Sequence, residues 1–364
     1  MKVGKEGEPM RTLYKEVMRR LETIDFSILW EGFKPYPFAL YTSTEVYLED
    51  KVIPWDTRFM GCTAISYEGS YLAIWNIEMD GVEENVANRD QLVMGIVHEM
   101  FHAFQQENKE KRFPMDLVGL NYPDDERNYG LKYVENQILA RACREESKQV
   151  KQELLSQFYS IRKERERILG DIITYEYRLE TVEGIAEYVG LLALKQLDKD
   201  QYEERLEDYC KKLETYNALQ QDIRCISYFC GPVILTIAKA CNLSFWHVLK
   251  DEGRPVFQII GDKVQSEERV SVGYDEILIQ EAVKENRLAK SHQIEAFFKE
   301  KAREAIEGRY AISGYDPMNM FKLGNQVYCK NFICVTPLGK EESMMLIGPI
   351  VLEMDQDEVR KIYK

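Results

Sequence analysis

Two of the chain's four histidines stand four residues apart in Gly95-Ile96-Val97-His98-Glu99-Met100-Phe101-His102, with a glutamate directly after the first. This H-E-x-x-H spacing lies in an apolar run of helical period. On a helix it turns both imidazoles to one face, where they can share a metal ion. Two histidines rarely complete a reactive metal site, so the fold has to bring a third ligand to that face from elsewhere. With four histidines in 364 residues, a chance match is rare, on the order of one chain in a hundred or fewer. The competing reading is a pair of ordinary, partly buried core histidines.

Composition sets the outer limits. The 364 residues are 45 % hydrophobic and 30 % charged, enough for a sizeable core under an ordinary soluble surface. A net charge of -14 argues against a general nucleic-acid binder, which needs a basic face to displace counterions. The first residues run into charge and lack the apolar segment of a secretory signal. Nor does any run approach the roughly 20 apolar residues that span a bilayer, so no membrane partner is expected. None of the eight cysteines forms a C-x-x-C pair; Cys225 and Cys230 are a weak metal signal only. A reducing, cytoplasmic setting is the simplest reading.

Along the chain, residues 14–22 read as a short amphipathic helix, and 38–48, 62–67 and 71–77 as extended segments. The motif helix is expected over 89–108 with Asn88 as its N-cap. A Pro- and Gly-bearing loop over 111–130 follows, then a long helical region over 131–169. Its Lys-, Arg- and Glu-rich second half reads as a solvated face or a bend between two helices. Helices are expected over 172–192 and 202–219, and over 222–250 with a break near Gly231-Pro232. A helical hairpin is expected between 275 and 307, and a small sheet or hairpin from 324–335 and 344–354 around the turn at 339–342. The divisions expected are 1–110 (sheet and motif helix), 111–170 (inserted loop and charged helix), 171–250 (a second helical half) and 251–364. The fold class is α+β, mostly helical, with a small N-terminal sheet and a C-terminal β-containing region.

The best donor for the third ligand lies in Leu179-Glu180-Thr181-Val182-Glu183-Gly184-Ile185-Ala186-Glu187-Tyr188. Glu183 and Glu187 are one helical turn apart and face together, while Gly184 and Ala186 permit close helix approach. Glu183 can ligate a metal while Glu187 holds the far nitrogen of a liganding imidazole and fixes its tautomer. The bland alternative is a charged helix face, and Glu180 is the other ligand candidate, three residues upstream. Neither His247 nor His292, the remaining histidines, offers as good a placement.

H-E-M-F-H at 98–102 followed by E-G-I-A-E-Y at 183–188 resembles the gluzincin metallopeptidases, which include thermolysin and the aminopeptidase N family. The resemblance implies a zincin-like catalytic domain holding one Zn(2+) per chain on His98, His102 and Glu183. It further implies that Glu99 handles the proton and that Glu187 is the carboxylate one turn beyond the ligand. Tyr228-Phe229-Cys230-Gly231 is similar to the Y-x-x-G segment of the aminopeptidase branch, which implies Tyr228 as oxyanion stabiliser, with Tyr216 and His247 in reserve. The chain also departs from this pattern. His102 and Glu183 are far more widely separated than in these relatives, and no G-x-M-E-N exopeptidase signature occurs. The resemblance covers residues 70–250 and leaves the last hundred or so unmatched.

These residues point to peptide-bond hydrolysis by Glu-assisted attack of water on a peptide or protein substrate, aligned on the 71–77 strand as an open edge. Arg178, close to the ligand helix, can meet a carboxylate or form an exterior ion pair. The alternative is a non-catalytic, zincin-derived peptide-binding or regulatory protein; a metal-free helical interaction module is the third reading. Oligomeric state is left open, because amphipathic helices can face one another or a second subunit.

Overall fold

A computed structural model describes residues 7–78, 88–245, 249, 253–266, 271–300 and 304–364. After helix α1 (Gly7–Leu21) come strands β1 (Phe38–Tyr41), β2 (Glu45–Tyr47), β3 (Val52–Pro54), β4 (Thr63–Tyr67) and β5 (Ser70–Asn76). They form one sheet in the order β3-β2-β1-β5-β4, antiparallel except for the β1–β5 pair. Every residue of β1 is buried, because alternate side chains enter two cores. Phe38 and Leu40 join the main helical core, and Ala39 and Tyr41 pack with Phe59, Leu72 and Ile74 on the other face. Residues 71–77 are therefore not an open edge. Each β5 residue from Ser70 to Ile74 is paired with β4, and β4 is the outer strand.

Helix α2 (Arg89–Glu107) carries the histidine pair, and the Asn88 side chain caps it by accepting from the amides of Asp90 and Gln91. Gly95 lets α2 lie directly on β5, since a β-carbon there would fall 2.2 Å from the Trp75 ring. Four helices follow: α3 (Asp116–Gly119), α4 (Glu126–Arg144), α5 (Lys148–Leu169) and α6 (Ile173–Leu197). The expected loop over 111–130 thus holds a short helix and ends where α4 begins. The expected bend falls between α4 and α5, but the solvated-face reading fails, because Arg162 and Arg165 on α5 are fully buried.

Beyond α7 (Lys199–Glu214), helix α8 (Ile223–Ala240) runs unbroken through Pro232. No break occurs at 231–232, because this apolar helix is packed along its length in the core. It is the one helix among the described residues long and apolar enough to cross a membrane, and most of it is buried inside the protein. Where α6 and α8 cross, Gly184 meets Gly231. A β-carbon on Gly231 would lie 2.4 Å from the Gly184 Cα and 2.9 Å from the Glu180 carbonyl oxygen. Gly231→Ala is expected to destabilise the chain by about 1–3 kcal/mol through overpacking. Gly253→Ala, with open space around it, is expected to stay within about 0.5 kcal/mol. Chemical denaturation of both variants checks this, and equal midpoints would refute the steric account.

The short helix α9 (Val256–Gly261) follows, and α10 (Glu276–Glu300) is a single helix rather than a hairpin. The chain continues into β6 (Ala305–Tyr315), whose first three residues fall inside the expected hairpin. Six strands follow: β7 (Met320–Leu323), β8 (Gln326–Cys329), β9 (Phe332–Pro337), β10 (Met344–Ile347), β11 (Ile350–Asp355) and β12 (Glu358–Tyr363). They complete a seven-stranded antiparallel sheet, β10-β9-β6-β12-β11-β8-β7. It has its own core of Val327, Ile333, Val335, Leu352, Val359 and Ile362, against which Leu120 packs. The fold is α+β, mostly helical, with an N-terminal sheet and a C-terminal β region.

Candidate metal centre

Packing of α6 across α2 brings two side chains from each helix to one point. Gly190 makes the approach possible, since a β-carbon there would lie 2.9 Å from the Met94 carbonyl oxygen. His98 and His102 project from α2 toward Glu183 and Glu187 of α6. The His98 and His102 Nε2 atoms are 3.0 Å apart. Glu183 Oε2 is 3.0 Å from His102 Nε2 and 3.7 Å from His98 Nε2. All three side chains are buried.

The outer hydrogen bonds fix which atoms face inward. His98 Nδ1 lies 2.8 Å from Glu187 Oε2. A carboxylate only accepts, so Nδ1 carries the proton and Nε2 presents a lone pair. His102 Nδ1 lies 2.7 Å from Gln105 Oε1, while Gln105 Nε2 donates to the Val182 carbonyl oxygen at 3.0 Å. That orientation makes His102 Nε2 a lone pair as well. Two imidazole nitrogens and a carboxylate oxygen thus converge, an arrangement that repels unless a cation joins it, either a metal ion or a proton on one imidazole. Four ligands set tetrahedrally at about 2.0–2.1 Å from one ion lie about 3.3 Å apart. The observed edges of 3.0, 3.0 and 3.7 Å bracket that separation.

Charge at the site follows the same logic. Burial opposes protonation of His98, yet Glu183 and Glu187 hold its pKa well above the usual imidazole range. Burial also opposes ionisation of Glu183, but His102, His98 and Arg224 keep its carboxyl well below the usual range. Glu99 behaves in the opposite way. Burial pushes its carboxyl up, against the two histidines, and its Oε2 is buried with no hydrogen-bond partner. The ligating atoms of His98, Glu99 and His102 all lie within 4.8 Å of one another.

Tyr228 on α8 stacks on His98 with ring centroids 5.9 Å apart and planes 5° from parallel. Burial, and then Glu183, raise its hydroxyl pKa well above the ordinary value. Glu180 lies elsewhere: both its oxygens accept from Arg162, each at 2.9 Å. One turn from Glu183, it faces α5 instead of α2 and is not a ligand. Tyr216 packs edge-on against Tyr133, away from the histidines, and His247 lies outside the described residues. Cys230 donates to Asn136 at 3.3 Å and does not join Cys225 in a metal pair. Arg178 reaches the Phe113 carbonyl oxygen at 3.5 Å and, among the described residues, no carboxylate.

Several side chains around the centre carry no motif. Arg224, one turn before Tyr228, donates to Glu183 Oε1 at 2.9 Å and also pairs with Asp116. Tyr209 donates to the second oxygen of Glu187 and accepts from Arg205 at 3.1 Å. The only local signals for these roles are the helical intervals separating Gln105 from His102 and Arg224 from Tyr228. Asp116, Tyr175 and Arg224 also form the inner wall of a 970 Å³ cleft between the helical core and the β7–β8 end of the C-terminal sheet. Comparison with protein-family models, with curated proteins and with solved structures returned no match. The His98-Glu99-His102 cluster resembles an H-E-x-x-H-type zinc-binding motif, consistent with a broad metallopeptidase-like superfamily and able to coordinate a metal ion.

Proposed function

We propose that the protein is a zinc-dependent peptidase of gluzincin type, with His98, His102 and Glu183 holding the ion. The convergence of three donor atoms at 3.0, 3.0 and 3.7 Å carries this reading. Glu183 is the third ligand rather than Glu99, because its oxygen lies 3.0 and 3.7 Å from the two inward-facing Nε2 atoms and His102 and Arg224 favour its ionised form. When bound, zinc supplies a water of lowered pKa and a Lewis acid for the scissile carbonyl.

The remaining chemistry belongs to the chain. Glu99, unpartnered and with a raised pKa, accepts the proton of the attacking water and returns it to the leaving amine. Tyr228, protonated throughout, donates a hydrogen bond to the oxyanion that develops at the carbonyl. Glu187 and Gln105 hold the two imidazoles in their ligating tautomers, and Arg224 orients Glu183. The adjoining cleft has room for several residues of an extended peptide.

The test is elemental analysis of the purified chain beside Glu183→Ala and Glu180→Ala. About one zinc per chain is expected in wild type, with loss in Glu183→Ala and at most a partial drop in Glu180→Ala, whose carboxylate pairs with Arg162 and not with the centre. Zinc-free wild type after reconstitution would remove the proposal's basis. Loss with Glu180 alone would overturn the ligand assignment.

A further inference from the structure

We propose that the peptide taken by the cleft is an acidic one, added as an extended strand to β7 with its carboxylates against Lys290 and Lys322. The inference rests on the peptidase reading for the class of ligand, and adds which peptides are chosen and where they lie. β7 is the terminal strand of the C-terminal sheet, paired with β8 on one side only. Its residues Met320, Phe321 and Lys322 line the cleft whose inner wall is Asp116, Tyr175 and Arg224. An edge strand offers a row of amides and carbonyls on which an extended peptide forms backbone hydrogen bonds. β5, held between β1 and β4, cannot serve in this way.

Charge selects among peptides. The chain carries a net charge of -14, so the molecule at large repels an acidic peptide, which needs cations where it lands. The carboxylates that line the cleft already have donors. Asp116 accepts from Tyr175 at 3.0 Å and pairs with Arg224, and Asp124 pairs with Arg287 at 3.0 Å. Asp222 caps α8 by accepting from the Cys225 amide at 2.9 Å. A basic peptide would meet only carboxylates that are engaged.

The lysines are placed differently. Lys290 and Lys322 are half-buried in the cleft and form no ion pair among the described residues. Lys322 Nζ donates at 2.6 Å to the neutral side-chain oxygen of Asn121. A carboxylate is the stronger acceptor for a partly desolvated ammonium. In a strand added to β7, the residue opposite Lys322 projects to the same face, so an acidic residue there meets that ammonium. Lys290 stands on α10, which packs against β7, and extends the same cationic wall.

The test reads binding apart from cleavage. The zinc-reconstituted Glu99→Gln chain is titrated into two dye-labelled, end-blocked peptides that differ only in glutamates replaced by glutamines, and anisotropy is followed. The acidic peptide is expected to bind about tenfold more tightly, with the advantage shrinking as salt rises. Lys290→Gln combined with Lys322→Gln is expected to remove the preference. Lys340→Gln, on an exposed turn outside the cleft, is expected to keep it. Equal binding of the two peptides, binding of neither, or a preference that survives both lysine substitutions would overturn the proposal. Binding of neither, together with a dimer in sedimentation, would assign the β7 edge to a second copy instead. Selective binding by a wild type that never cleaves the acidic peptide would sink the peptidase reading and leave acidic recognition standing. If the double variant does not fold, the paired peptides and the salt series on the unsubstituted lysines decide.

Discussion

Replacing Glu99 with glutamine is expected to leave the metal content of the protein unchanged and to lower kcat/KM for peptide hydrolysis by about 10²–10⁴-fold, the usual contribution of a positioned proton carrier. Glutamine keeps the size and shape of the side chain, so packing of α2 is preserved, but it cannot take the proton of the attacking water. The structure makes this separation clean. Glu99 Oε2 has no hydrogen-bond partner to lose, whereas Glu183 is tied to His102 and Arg224. Glu99→Gln therefore tests the chemistry, and Glu183→Ala tests the metal. A mixed peptide library with mass-spectrometric readout supplies the substrate, and the decisive comparison is wild type against Glu99→Gln at equal zinc occupancy. If both are equally silent, the zincin-derived binding protein becomes the better reading. If both cleave equally, Glu99 is not the proton carrier and the activity belongs to another site or to a contaminant.

The candidate metal-binding cluster was legible in the sequence because each of its parts is local to one helix. His98 and His102 are set by a single turn, and so are Glu183 and Glu187. The small residue at 184 announces close approach, and the structure supplies the partner in Gly231. Less local features were hidden. Pro232 reads as a helix break from its missing amide alone, yet packing against α6 carries α8 through it. Burial of the C-terminal sheet is sparse along β6. In β6, Glu307 and Arg309 are exposed and Tyr310 is buried, which thins the apolar signal until the segment passes for the end of a helical hairpin. The register of β5 could not be read either, because which of two neighbouring strands lies outermost depends on how β1 returns to the sheet.

The deepest misreading concerns the charged half of α5, and it leads to the second large effect. Lys132, Arg162 and Arg165 meet Glu135, Glu176 and Glu180 in a fully buried cluster of three cations and three carboxylates joining α4, α5 and α6. Arg162 is its hub. Its Nε lies 3.0 Å from both oxygens of Glu135, and its two terminal nitrogens reach the two oxygens of Glu180 at 2.9 Å. Its guanidinium also lies 4.9 Å from the ring centroids of Phe158 and Phe257. Removing this one cation leaves three buried carboxylates to two cations, and Glu180 keeps only its 3.7 Å contact with Lys132, in a medium that cannot solvate the excess charge. Arg162→Met, which keeps the stem and its packing, is expected to cost about 3–5 kcal/mol. Arg167→Met, which removes the exposed pair with Glu164, is expected to cost no more than about 1 kcal/mol. Urea denaturation of the two variants beside wild type measures the difference, and a cost for Arg162→Met no larger than the control would mean that the cluster is not the tie between these helices. The same experiment bears on the metal centre, because Glu176 and Glu180 precede Glu183 on α6. A loosened cluster frees the helix that presents the proposed third ligand, so zinc affinity is expected to fall in Arg162→Met although no atom of Arg162 touches the site.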